Sequence, residues 1–106
     1  MEKNHNQNPF EVFKKEAPEV TDAFDGLIQS LINTKGLDNK TKQLIYIGIK
    51  AALGDPMAIQ FHVPIVKKLG ATRERIKDTI LLTLTTSGLK GITSCLTMTL
   101  DFYDNA

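Results

Sequence analysis

Cysteine is nearly absent from this chain, because Cys95 is the single one among 106 residues. One thiol cannot form an intramolecular disulfide, so any mechanism that needs two thiols within one subunit is excluded. An excess of charge is missing as well, since thirteen basic residues and twelve acidic ones leave a formal net charge of +1. The composition therefore gives no electrostatic support for binding to nucleic acid or to an anionic membrane.

Long apolar runs are also missing. The longest are interrupted by Lys, Gly, Asp or Thr well short of the roughly 18 residues that a membrane-spanning helix needs, and residues 1–9 lack the apolar core of a signal peptide. We therefore expect a cytoplasmic protein without a membrane partner. The apolar share of 42% and the charged share of 24% are those of an ordinary globular protein. We predict a flexible segment over residues 1–8 and a single domain over residues 9–106.

Helix start and stop signals divide the chain. Asn8-Pro9 and Asp55-Pro56 each place a capping side chain before a proline, and proline is tolerated in the first turn of a helix. Ala17-Pro18 interrupts the first helix, because the residue before a proline is pushed out of helical geometry. The predicted helices cover about residues 9–16, 18–34, 39–53, 56–69, 72–87 and 91–103, and Gly36, Gly54 and Gly70 end three of them.

Several threonines lower the helix propensity of residues 79–86, so a strand is an alternative there. The sequence offers no second clear strand to pair with it, and we favour the helix. The predicted fold class is therefore all-α, a compact bundle of about six helices.

The third predicted helix is apolar on more than one face. Its apolar residues are Leu44, Ile45, Ile47, Ile49, Ala51, Ala52 and Leu53. A lone domain of this size would have difficulty covering all of them, so we predict a homo-oligomer that buries helix faces between subunits. The alternative is a central helix surrounded by the others.

Three segments and one histidine carry a resemblance to a known family. They are Leu37–Ile45, which reads LDNKTKQLI, Ala51–Pro56, which reads AALGDP, then His62, and Leu69–Ile76, which reads LGATRERI. In this order and spacing they resemble the core of the carboxymuconolactone decarboxylase and alkylhydroperoxidase D-like family. The resemblance covers about residues 37–80 and implies an oligomer of all-helical subunits, a trimer or a hexamer.

The redox chemistry of that family does not carry over to this chain. Its redox branch uses two cysteines, with a glutamate and a histidine that relay protons. The resemblance places Asp55 and Ala58 at the cysteine positions and Gln43 at the glutamate position, and retains only His62. Because a thiolate is the nucleophile in such chemistry, we expect no peroxidase or disulfide-reductase activity. Cys95 lies in a different predicted helix and is expected to be a buried structural thiol.

The cysteine-free helix start at Asp55-Pro56 is similar to that of the decarboxylase branch, which decarboxylates 4-carboxymuconolactone without a cofactor. That chemistry needs a site that binds an anionic lactone and delivers a proton to carbon. His62 is the predicted catalytic acid or base, since histidine titrates near neutrality. The alternative is a half-buried histidine satisfied by a backbone carbonyl. We expect neither a cofactor nor a metal ion.

Gln43, Lys50 and Asp55 are the predicted substrate-binding residues. Gln43 and Lys50 form one polar stripe with Tyr46, at three- and four-residue steps on an otherwise apolar helix. Lys50 would hold a substrate carboxylate, and the alternatives are a solvated outer face or a salt bridge between subunits. Asp55 would orient His62 or a substrate water from two turns away on the same helix face, and the alternative is a helix cap.

Three functions follow from these patterns. The first is a cofactor-free lyase that acts on an anionic lactone or a related small carbonyl compound. The second is a peroxiredoxin-like oxidoreductase, which the missing cysteine pair disfavours. The third is a non-catalytic oligomeric scaffold or regulatory protein that has kept the fold without the chemistry.

Overall fold

Helices account for the regular structure of residues 8–106, the part of the chain that the computed structural model describes. Seven α-helices occur in this part, namely α1 (Pro9–Glu16), α2 (Pro18–Ile32), α3 (Asn39–Ala52), α4 (Pro56–Gln60), α5 (Val63–Lys68), α6 (Arg73–Leu82) and α7 (Thr97–Asp104). A 3₁₀ turn, Thr83–Thr85, follows α6, and a π-helical segment, Ile92–Leu96, runs into α7. No strand occurs within residues 8–106, so the all-α prediction is confirmed.

The chain divides into two units, residues 1–36 and residues 37–106. The predicted flexible segment, residues 1–8, lies outside the described residues except for Asn8. The side chain of Asn8 accepts a hydrogen bond from the backbone N–H of Phe10 at 2.8 Å, and Pro9 begins α1, so the predicted cap is confirmed. The single domain over residues 9–106 stays a prediction.

In the first unit, α1 packs against α2. The rings of Phe13 and Phe24 meet edge to face with their centroids 6.2 Å apart. Thr21 is buried, and its hydroxyl donates to the carbonyl oxygen of Ala17 at 2.8 Å. Apolar side chains along α2 remain more than half exposed, among them Val20, Leu27 and Leu31. This unit therefore leaves much of its apolar surface uncovered.

In the second unit, α3 is the central helix and contacts α4, α5 and α6. Asp38 caps this helix, since its Oδ1 accepts from the N–H of Thr41 at 2.7 Å. The buried apolar core consists of Ile47, Ala51, Ile59, Val63, Val66, Ala71, Ile76, Ile80 and Cys95. Full burial of each larger aliphatic side chain stabilises the fold by about 1.5–3 kcal/mol. Ile47 and Ala51 thus fix the side of α3 that faces the core.

The prediction of one helix over residues 56–69 is wrong, because two helices occupy this segment. Pro64 lies in the first turn of α5 and has no N–H to donate to the carbonyl of Gln60, where α4 ends. The N–H of His62 instead donates to the carbonyl of Ile59 at 2.9 Å. His62 therefore lies at the junction between α4 and α5, and the predicted helix face shared by Asp55 and His62 does not exist.

The chain after α6 also differs from a plain helix. The hydroxyl of Thr83 donates to the carbonyl of Ile80 at 2.6 Å, and that of Thr86 donates to Thr83 at 3.1 Å. These short-range bonds accompany the tightening of the last turn of α6 into the 3₁₀ turn. Gly88, with φ of +66°, then redirects the chain near the predicted end of the fifth helix.

Candidate active site

The polar stripe of α3 lies beside its core face. Gln43, Tyr46 and Lys50 follow one another at helical spacing, and each is half-buried. Ile47 and Ala51, which lie next to them around the helix, are fully buried. The predicted stripe is therefore confirmed, and it runs along the margin of the core, where polar side chains have restricted access to water.

The imidazole of His62 contacts this stripe. Its Nδ1 lies 2.7 Å from Oε1 of Gln43, and its ring centroid lies 4.0 Å from that of Tyr46, with 35° between the ring planes. With the amide oxygen of Gln43 facing the ring, Nδ1 carries the proton and donates it, which leaves the lone pair on Nε2. The partner of His62 is thus a side-chain amide, and the predicted alternative of a backbone carbonyl partner is wrong.

The electrostatic surroundings favour the neutral form of His62. Burial lowers the pKa of its imidazole, because desolvation disfavours the charged form, and the positive charge of Lys50 lowers it further. Both effects favour the uncharged form of the ring. A neutral imidazole with a lone pair on Nε2 accepts a proton readily, and its conjugate acid gives the proton up readily.

Lys50 and Asp55 form the second contact of the site. Nζ of Lys50 lies 3.9 Å from Oδ2 of Asp55, and the two side chains are 30% and 45% exposed, so this long ion pair adds little stability. Oδ1 of Asp55 accepts from the N–H of Ala58 at 3.2 Å, which confirms that Asp55 caps α4. Nζ of Lys50 also lies 5.7 Å from the ring centroid of Tyr46.

The four residues predicted as site residues therefore occur as two pairs, Gln43 with His62 and Lys50 with Asp55. Tyr46 touches the first pair through its ring and lies near the second, yet no role in the site was predicted for it. The position of Tyr46 in the stripe, between Gln43 and Lys50, was the sequence feature that could have indicated such a role.

Cys95 has no part in a thiol site. It is fully buried in the π-helical segment, as predicted. Burial raises the pKa of its thiol, and the negative charge of Asp55 raises it further. Because the thiolate is the reactive form, both effects disfavour reaction of this cysteine.

Neither a metal centre nor a membrane span occurs in the described part of the chain. Within residues 8–106, no group of three or more histidine, cysteine or carboxylate side chains is placed so that it could bind a metal ion. The helices described there are too short or too polar to cross a bilayer.

An apolar groove of about 500 Å³ follows the opposite side of α3 from the polar stripe. It is lined by Thr41, Leu44, Ile45, Gly48, Ile49, Ala52, Leu53, Thr79, Leu82, Thr83 and Thr86. Ile49, Leu53 and Leu82 are 56%, 60% and 69% exposed. The face of α3 that was predicted to be too apolar for a lone subunit is thus uncovered within the second unit.

Comparisons with known proteins agree with this architecture. The family model described as "Carboxymuconolactone decarboxylase family" matches residues 18–100. Two uncharacterized proteins of Methanocaldococcus jannaschii are similar to this chain. One is 36% identical over 86 residues, which are 80% of this chain and 83% of the relative, and the other is 32% identical over 79 residues, 74% of each.

A solved structure is similar as well. The apo crystal structure of a carboxymuconolactone decarboxylase family protein from Legionella pneumophila matches with a TM-score of 0.79 and 30% sequence identity, over 90% of this chain and 84% of that one. The family model covers most of the chain, and this structural match extends over nearly all of it. The chain belongs to the carboxymuconolactone decarboxylase family.

Proposed function

We propose that this protein is a cytoplasmic, cofactor-free lyase that acts on a small anionic lactone or a related carbonyl compound, with His62 as proton donor and acceptor. One observation carries the proposal: the half-buried imidazole of His62 packs against the stripe of α3 side chains that also carries the cation of Lys50. An acid–base group next to an anion-binding cation is what decarboxylation of a carboxylated lactone requires.

The proposed reaction begins with the substrate carboxylate bound to Lys50. The bond between the carboxylate and the ring carbon breaks, carbon dioxide leaves, and the electron pair moves into the conjugated carbonyl system as a dienolate. The imidazolium of His62 then gives its Nε2 proton to carbon, and a proton from water restores it. One carboxylate and one proton are consumed, and carbon dioxide and a neutral C–H bond are formed.

Lys50 couples the protonation of His62 to the binding of the substrate in this mechanism. In the free protein its charge holds the pKa of His62 down, after the larger effect of burial. A bound carboxylate offsets that positive charge, so the pKa of His62 rises and the ring takes up a proton when substrate is present. Loss of carbon dioxide moves the negative charge from the carboxylate at Lys50 to the dienolate, whose carbon then takes the Nε2 proton of the imidazolium.

Gln43 and Asp55 receive revised roles in the proposal. The amide oxygen of Gln43 accepts from Nδ1 of His62. We therefore propose that Gln43 orients the imidazole and does not bind the substrate directly. Asp55 pairs with Lys50 over 3.9 Å and would be displaced from it by a substrate carboxylate. It therefore competes with the substrate for the cation.

The proposal is tested by measuring carbon dioxide release from a panel of carboxylated unsaturated lactones. We expect turnover in the native protein, loss of about 10²–10⁴-fold in His62→Asn, because general acid–base catalysis contributes that much, and a raised KM in Lys50→Met. His5→Asn is the matched control, since it removes the second histidine of the chain. Absence of turnover across the panel, or full activity in His62→Asn, would refute the proposal.

A non-catalytic oligomeric scaffold is the second candidate, and the exposed apolar groove of α3 and α6 favours it. Under either function we propose a homo-oligomer, a trimer or a hexamer, in which this groove and the exposed side of α2 are covered. Sedimentation equilibrium should give three or six times the mass of one chain, and a monomer would contradict it. Oligomers without lactone turnover would leave the scaffold as the function.

The peroxiredoxin-like alternative stays disfavoured. Asp55 and Ala58 occupy the positions that the resemblance assigns to the cysteine pair, and Cys95 is buried with a raised pKa. Consumption of an organic hydroperoxide that is abolished by Cys95→Ser would overturn this conclusion.

A further inference from the structure

The imidazole of His62 depends on α3 for its orientation. The backbone of His62 is fixed, since its N–H donates to Ile59 at 2.9 Å and its carbonyl accepts from Val66 at 3.0 Å. Its side chain caps no helix, although the residue occupies the position before α5. The side-chain torsions are therefore set by what the ring touches, and the contacts described for it come from Gln43 and Tyr46.

These two contacts restrict different motions of the ring. The hydrogen bond from Nδ1 to Gln43 fixes one atom at 2.7 Å but leaves the ring free to turn about the line that joins the two atoms. The face contact with Tyr46, at 4.0 Å between centroids and 35° between planes, opposes that turning. Each contact therefore restrains a motion of the ring that the other leaves free.

We propose that Tyr46 is a positioning residue, whose aromatic ring holds the plane of the His62 imidazole so that Nδ1 stays on Gln43 and Nε2 is the nitrogen offered to a ligand. The inference rests on the proposed function in taking Nε2 as the acid–base atom. The ring of Tyr46 carries this role, and its hydroxyl does not. Nζ of Lys50 lies 5.7 Å from the centroid of the same ring, so Tyr46 neighbours both the imidazole and the cation.

The tautomer of His62 reports this positioning directly. Free histidine favours the tautomer with the proton on Nε2, whereas the contact with Gln43 requires it on Nδ1. Long-range proton–nitrogen correlation spectra of ¹⁵N-labelled protein distinguish the two. They are recorded at a pH well above the ordinary pKa of histidine, in a His5→Gln background that leaves His62 as the one histidine.

Wild-type protein and Tyr46→Phe should both show the Nδ1–H pattern, because both keep the ring. In Tyr46→Leu the ratio of Nδ1–H to Nε2–H should fall about tenfold, the size of effect expected from loss of one aromatic contact. Tyr46→Met, a second aliphatic replacement that fills the space differently, should give the same shift. Tyr103→Leu is the matched control, since it removes the other tyrosine and its hydrogen bond to the Ala71 carbonyl and should leave the pattern unchanged.

Four results would overturn the inference. The first three are an Nε2–H pattern in the wild type, an unchanged pattern in the aliphatic variants at position 46, and an equal shift in Tyr103→Leu, which would make the effect one of general stability. A shift in Tyr46→Phe would also contradict it by assigning the role to the hydroxyl. Failure of lactone turnover with the expected tautomers would refute the proposed function and leave the positioning role standing.

Discussion

Thr99 is a fully buried residue of α7 whose hydroxyl has no hydrogen-bond partner among the described residues. A helical threonine ordinarily donates to the carbonyl three or four residues earlier, and here those carbonyls, of Cys95 and Leu96, belong to the π-helical segment. A buried polar group without a partner loses its hydration and gains nothing in return. Thr99→Val replaces the hydroxyl with a methyl group of nearly the same shape and removes this cost.

The expected gain follows from the desolvation penalty of an unpaired hydroxyl, which is about 1–3 kcal/mol. Valine and threonine have similar helix propensities, so no opposing local effect is expected. We predict that Thr99→Val raises the free energy of unfolding by about 1–2 kcal/mol. Each kcal/mol should raise Tm by about 4–8 °C in a domain of this size. The free energy of unfolding is measured by urea denaturation monitored by circular dichroism, with the same m-value for the variant and the wild type.

Thr83→Val is the matched control for this prediction. Thr83 is also buried, but its hydroxyl donates to the carbonyl of Ile80 at 2.6 Å. The same chemical change should therefore destabilise the protein there by about 0.5–1.5 kcal/mol. Opposite signs at the two positions support the reasoning. Destabilisation by Thr99→Val of the same size as at position 83 would refute it, because the hydroxyl of Thr99 would then have to be paired in solution.

Three further predictions concern the site and the cysteine. Asp55→Asn keeps the cap of α4 but removes the charge that pairs with Lys50. A saturated lactone carboxylate should therefore bind about two- to fivefold more tightly, as measured by calorimetry. Asp38→Asn, the same change at the cap of α3, should leave this affinity unchanged. Burial and the charge of Lys50 hold the pKa of His62 below its ordinary 6.5, so the unfolded chain binds protons more readily than the folded one. The free energy of unfolding should therefore fall as the pH drops below that value, and His62→Asn should remove this part of the pH dependence in urea titrations. Cys95 should not react with Ellman's reagent until the protein unfolds, and rapid labelling of the native state would contradict its burial.

Local signals in the sequence predicted the helix starts well. The caps at Asn8, Asp38 and Asp55 each act within three residues along the chain, so short-range chemistry determines them. Helical periodicity likewise placed Gln43 and Lys50 on one side of α3. Both kinds of inference need no knowledge of how distant segments pack.

The tertiary arrangement of the site could not be predicted in the same way. The contact between Gln43 and His62 joins residues 19 positions apart, and it depends on the turn that Pro64 imposes between α4 and α5. Pro64 was visible in the sequence. Because it cannot donate to the carbonyl of Gln60, four residues earlier, it would have predicted two helices in place of one long helix. The stacking of Tyr46 on His62 and the π-helical segment around Cys95 depend on packing alone, which no local pattern records.

The burial of the lone cysteine also makes this protein a convenient host for spectroscopic labels. A cysteine introduced on the polar side of α2, at the exposed Gln29 for example, would be the one thiol open to a maleimide or nitroxide reagent, since Cys95 is fully enclosed. Distances between such labels on neighbouring copies could then be measured without altering the native cysteine. A buried native cysteine would thereby permit the proposed oligomer to be tested in solution with site-specific labels.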